Sequence, residues 1–431
     1  MKKKPVYGIN AFPVELEAEI RALADLACGN AQTLLETENI HEKWTKPEFR
    51  YQFYTLAHYG FYQAQEMAII SLMDESKLIA GKQVLYRKVI DSIAWKMIAN
   101  QLYIARRLYR EKKQPSLNHS NVESVRQAAR SMTSDDFYQF SLLSDLTAFI
   151  QIGDLLTINP SQGVFASEVK EGEVNEKIVN FINQSPDEIS IYNFREKEGL
   201  KVSNQMDRVI RQKARLQHVY EILTDNQSVD PDSKHGVIIK PDPVKLELWD
   251  DELSKLIDES NSKGYALAHI DNCLFVGVYR DRSRFISAEL FKGWFEMCVG
   301  KPNYPRWNLI SGMNIPLALP IFSRQLPIEH MFGIVFGRVV VHLALNMDAF
   351  IELCNEMGLK ACWSTRKEAA GYRRGKDYPW FFDNRVILLG DEKSNVLDEG
   401  IFMRIFFHGT KPKSAVNIFQ SFDELVKSNG K

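Results

Sequence analysis

Two carboxylates and one amine in a short stretch of this chain have the types and spacing needed to hold a hard metal ion against a phosphate. Asp154 lies in the apolar run Phe149-Ile150-Gln151-Ile152-Gly153-Asp154-Leu155-Leu156-Thr157-Ile158, and the run Val164-Phe165-Ala166-Ser167 leads into Glu168-Val169-Lys170. Between them, Asn159-Pro160-Ser161-Gln162-Gly163 is made of turn residues, so the two runs read as the strands of a hairpin. Side chains alternate along a strand with period two, which puts Glu168 and Lys170 on one face. An ionised Asp154 among apolar neighbours is costly when unpaired, and a cation would compensate it. Mg²⁺, or Mn²⁺, takes oxygen ligands and commonly uses one or two carboxylates plus substrate phosphates. Lys170 beside such a pair would orient or activate an attacking water and offset phosphate charge.

The triplet alone carries no weight. Glu75-Ser76-Lys77, Glu111-Lys112-Lys113, Asp232-Ser233-Lys234 and Asp391-Glu392-Lys393 have the same form. Those four fall at helix ends or in polar loops, whereas Glu168-Val169-Lys170 ends an alternating strand run with Asp154 fourteen positions earlier.

The elements around the motif follow from periodicity. Helical spacing of apolar residues predicts helices over about 13–36, 48–73 and 78–112, expected to form a bundle. The third ends in Arg106, Arg107, Arg110, Lys112 and Lys113 before Pro115, the usual pattern of cations at a helix C-terminus. Asn118 to Ser120 can cap a helix running to about 131, and from Phe137 short apolar runs between turn residues indicate a mixed sheet. A further helix is expected over about 204–223 and a strand over 236–240, with the polar segment 225–234 as a surface loop. Beyond Pro241, a helix over 252–260 and strands over 265–270 and 274–279, joined at Asp271-Asn272, indicate α/β material. The expected class is α+β (mixed α/β), organised as a helical domain 1–115, a core 116–240 and an α/β region 241–431 without an assigned role.

Composition narrows the alternatives. The 431 residues are more than one hydrophobic core usually serves, and 54 Lys and Arg against 55 Asp and Glu leave no overall basicity to attract nucleic acid. Cys28, Cys273, Cys298, Cys354 and Cys362 form no CxxC pair or Cys/His cluster, which argues against structural zinc and a disulfide framework and for a reducing cytoplasm. Acidic residues and Pro13 interrupt the stretch after the basic start, so no signal sequence is expected. Met331 to Met347, broken by Arg338 and His342, reads as core rather than a membrane span. No phosphate-binding glycine loop, GxSxG elbow or HExxH motif occurs. The histidines are scattered singly, His218 and His342 among them. The aromatic cluster Tyr378-Pro379-Trp380-Phe381-Phe382 after Arg373-Arg374-Gly375-Lys376 reads as packing rather than base stacking.

Gly153-Asp154-Leu155-Leu156, a turn, then Glu168-Val169-Lys170-Glu171-Gly172 resembles the motif of the PD-(D/E)XK nuclease superfamily over roughly residues 118–240. The resemblance implies a restriction-endonuclease-like core in which a helix, three antiparallel strands, a helix and a further strand make a mixed sheet flanked by helices. It departs at Gly153, where the family pattern has proline. It further implies an acidic metal ligand from the first helix, for which Glu123 is the candidate by position and Asp145 its competitor. From the helix after the triplet it implies polar contacts to the nucleic-acid backbone, matched here by Gln205, Arg208, Arg211, Gln212 and Arg215. The expected function is Mg²⁺-dependent hydrolysis of phosphodiesters in DNA, by analogy in bacterial restriction or phage defence. One alternative is an inactive nuclease-like nucleic-acid-binding or scaffold protein, and another is an assembly module that forms homo-oligomers through the N-terminal helices.

Overall fold

The computed structural model describes residues 11–28, 31, 34, 38–74, 81–111, 114, 116–232, 234–239, 246–300, 304–372, 379–390 and 395–429. The triplets at 75–77 and 391–393 lie outside the described residues, as do Lys112, Lys113, Pro115, Ser233 and the segment 373–378. The protein is α+β, with helices throughout and four small antiparallel sheets among the described residues. None of its described helices is long and apolar enough to cross a membrane.

Residues 18–239 form one compact unit that holds both the N-terminal helices and the Asp154 hairpin. Its described elements are α1 (Glu17–Cys28), α2 (Ile40–Trp44), α3 (Pro47–Met73), α4 (Lys82–Met97), α5 (Leu102–Leu108) and α6 (Val122–Asp135). There follow β1 (Phe140–Leu143), β2 (Leu155–Asn159), β3 (Gly163–Ser167), α7 (Glu173–Asn183), α8 (Glu188–Asp225), β4 (Gln227–Val229) and β5 (Gly236–Ile238). The single helix expected over 78–112 is two, because Ala99 and Asn100 turn left-handed at φ 51° and 57°. There the Asn100 N–H reaches back to the Trp95 carbonyl at 2.7 Å, closing α4 as a left-handed C-terminal turn does.

Strands β1, β2 and β3 form an antiparallel meander in that order. Helices α3 and α6 pack beside β1, and α8 packs on β3. The long strands expected over 149–158 and 164–170 are shorter than their apolar runs. Phe149 and Ile150 are fully buried in a loop instead of a ladder, since burial satisfies an apolar run whether or not it pairs. Two further expectations are corrected. Gly236–Ile238 does not join this sheet but pairs with Gln227–Val229, inside the segment read as a loop. The helix expected to begin at 204 reaches back to Glu188, capped by Asp187 accepting the Ser190 N–H at 2.8 Å, with a break at Gly199 (φ 79°). The apolar residues of α7 complete it: Ile178, Met206 and Val209 make a small core, and Phe181 stacks on Phe194 at 4.2 Å.

The other unit comprises residues 1–17 and 240–431. Its centre is a four-stranded antiparallel sheet ordered β6 (Tyr265–Ile270), β7 (Leu274–Arg280), β9 (Val339–Leu345), β8 (Arg306–Asn308). The run at 331–347 is core, as its apolarity predicts, supplying a helix at Ile328–Val335 and then β9. A buried ion pair between Asp250 and Arg324 lies against Trp249, with the guanidinium 4.1 Å from the ring centre. Trp380 packs on Phe402 at 4.0 Å between ring centres, the packing role expected for that aromatic cluster.

Candidate active site

Register alone brings the two carboxylates together. In the β2–β3 ladder Leu156 faces Ala166 and Leu155 faces Ser167, so the next pair outward is Asp154 opposite Glu168. Both lie one residue beyond the strands, where the ladder opens and side chains are no longer packed by a neighbouring strand. The Asp154 N–H donates to the Ser167 carbonyl at 2.7 Å, and the Ser144 N–H donates to the Asp154 carbonyl at 2.9 Å. These two bonds clamp the Asp154 backbone between β3 and the end of β1.

Gly153 explains the departure from the proline of the motif. Its φ is +82°, which proline cannot adopt, and an added Cβ would lie 3.0 Å from the Ser167 carbonyl oxygen and 3.1 Å from Ala166 Cβ. Glycine is what lets the chain enter β2 this close to β3.

The side chains converge. Asp154 Oδ2 accepts the Val169 N–H at 2.7 Å. Lys170 Nζ donates to Glu168 Oε2 at 2.9 Å and to Gln212 Oε1 at 2.8 Å, while Gln212 Nε2 donates to Glu168 Oε2 at 3.1 Å. Glu168, Lys170 and Gln212 thus close a ring of hydrogen bonds across the α8–β3 contact. The Glu168 and Lys170 side chains are only 13% and 20% exposed, so this pair is worth more than a solvated one. Asp154 Oδ1 and Glu168 Oε1 have no hydrogen-bond partner among the described residues.

Burial, and next the facing Glu168 carboxylate, push the Asp154 pKa up to about 6, against the pull of the Val169 N–H and of Lys170. Asp145 adds to the repulsion, and its own carboxyl is raised by burial and by Glu168. Because Asp154 titrates above its ordinary value of 3.8, its contribution to stability is full below about pH 3.8 and is lost as pH rises through about 6. Asp154→Asn keeps the acceptor for Val169 and removes the repelling charge. It is expected to raise Tm by about 2–4 °C near pH 8 and to change it little near pH 4. Calorimetry at both pH values checks this; a lower Tm near pH 8 contradicts it.

Two unpartnered carboxylate oxygens at a site of mutual repulsion fit a hard divalent cation. Asp154 and Glu168 would hold it, with water and phosphate oxygens completing the shell. Among the described residues no group of three or more His, Cys, Asp and Glu side chains is gathered as a ready ligand set.

The two candidates for a third acid, Glu123 and Asp145, stand in different surroundings. Glu123, at the start of α6, is exposed and pairs with Arg126 at 3.0 Å and Gln127 at 3.2 Å. Asp145 raises the Asp154 carboxyl and is itself raised by burial and by Glu168. Its loop is held by Arg87, which donates to the carbonyls of Asp145 at 2.5 Å and Thr147 at 2.8 Å, and by Asp91, which accepts the Ala148 N–H at 2.7 Å. Sequence reasoning missed Arg87 and Asp91. The available signal was charge set into the apolar spacing of α4, with Lys88 three residues before Asp91.

The polar stripe on α8 divides. Gln212 belongs to the carboxylate site itself. Gln205 donates to Asn175 at 2.8 Å, and Arg215 is bound to Asp232. Arg208 and Arg211 are exposed, without an ion pair among the described residues. Compared with known proteins, the chain matches no family model, no curated protein and no solved structure.

Proposed function

We propose that the chain is a metal-dependent phosphodiesterase acting on nucleic acid, DNA first, through Asp154, Glu168 and Lys170. What carries the reading is the convergence of these three side chains at the open end of one hairpin, two of them keeping a carboxylate oxygen without a hydrogen-bond partner among the described residues. A divalent cation bound there would supply Lewis acidity and lower the pKa of a bound water. Lys170, held by Glu168 and Gln212, would orient that water and donate to the phosphate as charge develops on it. Asp154, kept in place by Val169, would offer its free oxygen as a ligand once deprotonated, so activity should fall as pH drops through about 6. Exposed Arg208 and Arg211 beside Gln212 would hold backbone phosphates.

Supercoiled plasmid and labelled oligonucleotides incubated with Mg²⁺ or Mn²⁺ test the proposal. Cleavage that stops in EDTA and returns with added metal is the expected result. Intact DNA and RNA with every metal tried, together with unchanged binding in EDTA, would favour the inactive nucleic-acid-binding alternative.

A further inference from the structure

One cluster next to this site is not used by the chemistry above. Arg215 lies three residues beyond Gln212 on α8, a rise of about 4.5 Å along the helix. Its Nε and Nη2 donate to Asp232 Oδ2 and Oδ1 at 3.2 and 3.0 Å, a two-pronged grip. Arg110 Nη2 reaches the same Asp232 Oδ2 at 3.2 Å. Two guanidinium groups from separate elements therefore meet on one carboxylate.

Both arginines stand on fixed backbone. Arg215 is on α8, ten residues before its end. The Arg110 N–H donates to Gln151 Oε1 at 2.8 Å, and the Gln151 N–H donates to the Leu108 carbonyl at 2.8 Å, which ties Arg110 to the segment leading into Asp154. Asp232, in contrast, sits at the tip of the β4–β5 turn, where its side chain is 54% exposed. The turn is closed by the Lys234 N–H on the Asp230 carbonyl at 2.9 Å and the Asp232 N–H on Asp230 Oδ1 at 3.0 Å. An exposed carboxylate on a turn, gripped by two anchored guanidiniums, marks an anion site open to solvent. A fork of this kind accepts a phosphate with the same geometry as a carboxylate.

We propose that Arg110 and Arg215 form a clamp for a backbone phosphate of nucleic acid, and that Asp232 occupies the clamp as an internal anion which the phosphodiester displaces. This rests on the nucleic-acid reading of the neighbouring site and adds to it a second phosphate position one helical turn from Gln212. Removal of the Asp232 charge should then tighten binding in a way that depends on Arg215, whereas reduced repulsion alone would give a gain with or without Arg215.

The test is fluorescence anisotropy of labelled single- and double-stranded oligonucleotides with the full chain in EDTA, across a salt series. Asp232→Asn is expected to bind about 3–10-fold tighter than the parent protein. Arg215→Gln should bind more weakly by a similar factor and lower the slope of log affinity against log salt by about one. The double substitution should lose the gain. Unchanged or weaker binding by Asp232→Asn, a gain that survives in the double variant, or no binding by any of these proteins overturns the clamp. Inorganic phosphate serves as competitor: if it stabilises Asp232→Asn thermally while the oligonucleotides do not bind, the site serves free phosphate and the nucleic-acid assignment is overturned. Circular dichroism melts establish folding, and Arg215→Lys, which keeps the charge without the fork, should fall between Arg215→Gln and the parent. None of these readouts needs metal or cleavage. Loss of the nuclease proposal with the binding changes intact, and loss of the clamp with cleavage intact, are therefore separate results.

Discussion

Lys170→Ala is expected to lower Mg²⁺-dependent cleavage by about 10²–10⁴-fold, the range for removing a positioned proton-transfer or charge-stabilising group. Asp154→Asn and Glu168→Gln should cost at least as much, since each removes a charged oxygen that would face the cation. The losses should not add, because the three groups act on one water and one phosphate. Gln212→Ala should show a smaller loss than Lys170→Ala, as it acts by holding Lys170 and Glu168 in place. Asp145→Asn should impair cleavage more than Glu123→Gln, given that Asp145 raises the Asp154 carboxyl while Glu123 is exposed and paired with Arg126. Single-turnover assays with melts in parallel check the set. Cleavage by the Asp154, Glu168 and Lys170 triple variant at the parental rate would sink the nuclease reading.

The largest effect on stability is expected away from the site. Asp91 is fully buried on α4, with its carboxylate 3.1 Å from Lys88 Nζ, whose side chain is 2% exposed. The pair is close in distance, although Asp91 Oδ2 makes no well-directed hydrogen bond; the directed bond is the one that Oδ1 accepts from Ala148 N–H. Asp91→Ala removes the carboxylate facing a buried ammonium and leaves the Ala148 N–H without its acceptor. A loss of about 3–5 kcal/mol follows, and each kcal/mol lowers Tm by about 2–4 °C in a unit of this size. Replacing both partners with apolar residues of similar volume should recover most of the loss, as hydrophobic replacements of buried pairs commonly do. Urea titrations of the single and double variants decide this. A cost below about 1 kcal/mol for Asp91→Ala would show that the pair is already compensated by water. Asp91 also anchors the loop bearing Asp145, so the destabilised protein should lose activity before it unfolds.

The hairpin was legible in the sequence because its signals are local. Turn residues at 159–163 and period-two alternation place Glu168 and Lys170 on one face, and the β2–β3 register then sets Asp154 opposite Glu168. The break at Ala99-Asn100 was not legible, since the apolar periodicity of α4 and α5 continues across it. Nor was the destination of Gly236–Ile238, because a short apolar run pairs with whichever edge the rest of the fold brings near.

The sequence by itself determined the α+β class, the hairpin and the identity of the two facing carboxylates with their lysine. Those follow from periods of two and 3.6 and from turn chemistry, which act over a few residues. Tertiary structure alone decided which distant residues complete the site. Gln212 reaches Lys170 across 42 positions because α8 packs on β3, Asp145 comes within electrostatic reach of Asp154 on a loop that Arg87 and Asp91 hold, and Arg215 meets Asp232 because β4 and β5 pair with each other. Such partners are selected by packing between elements, and packing leaves no periodic trace in the chain.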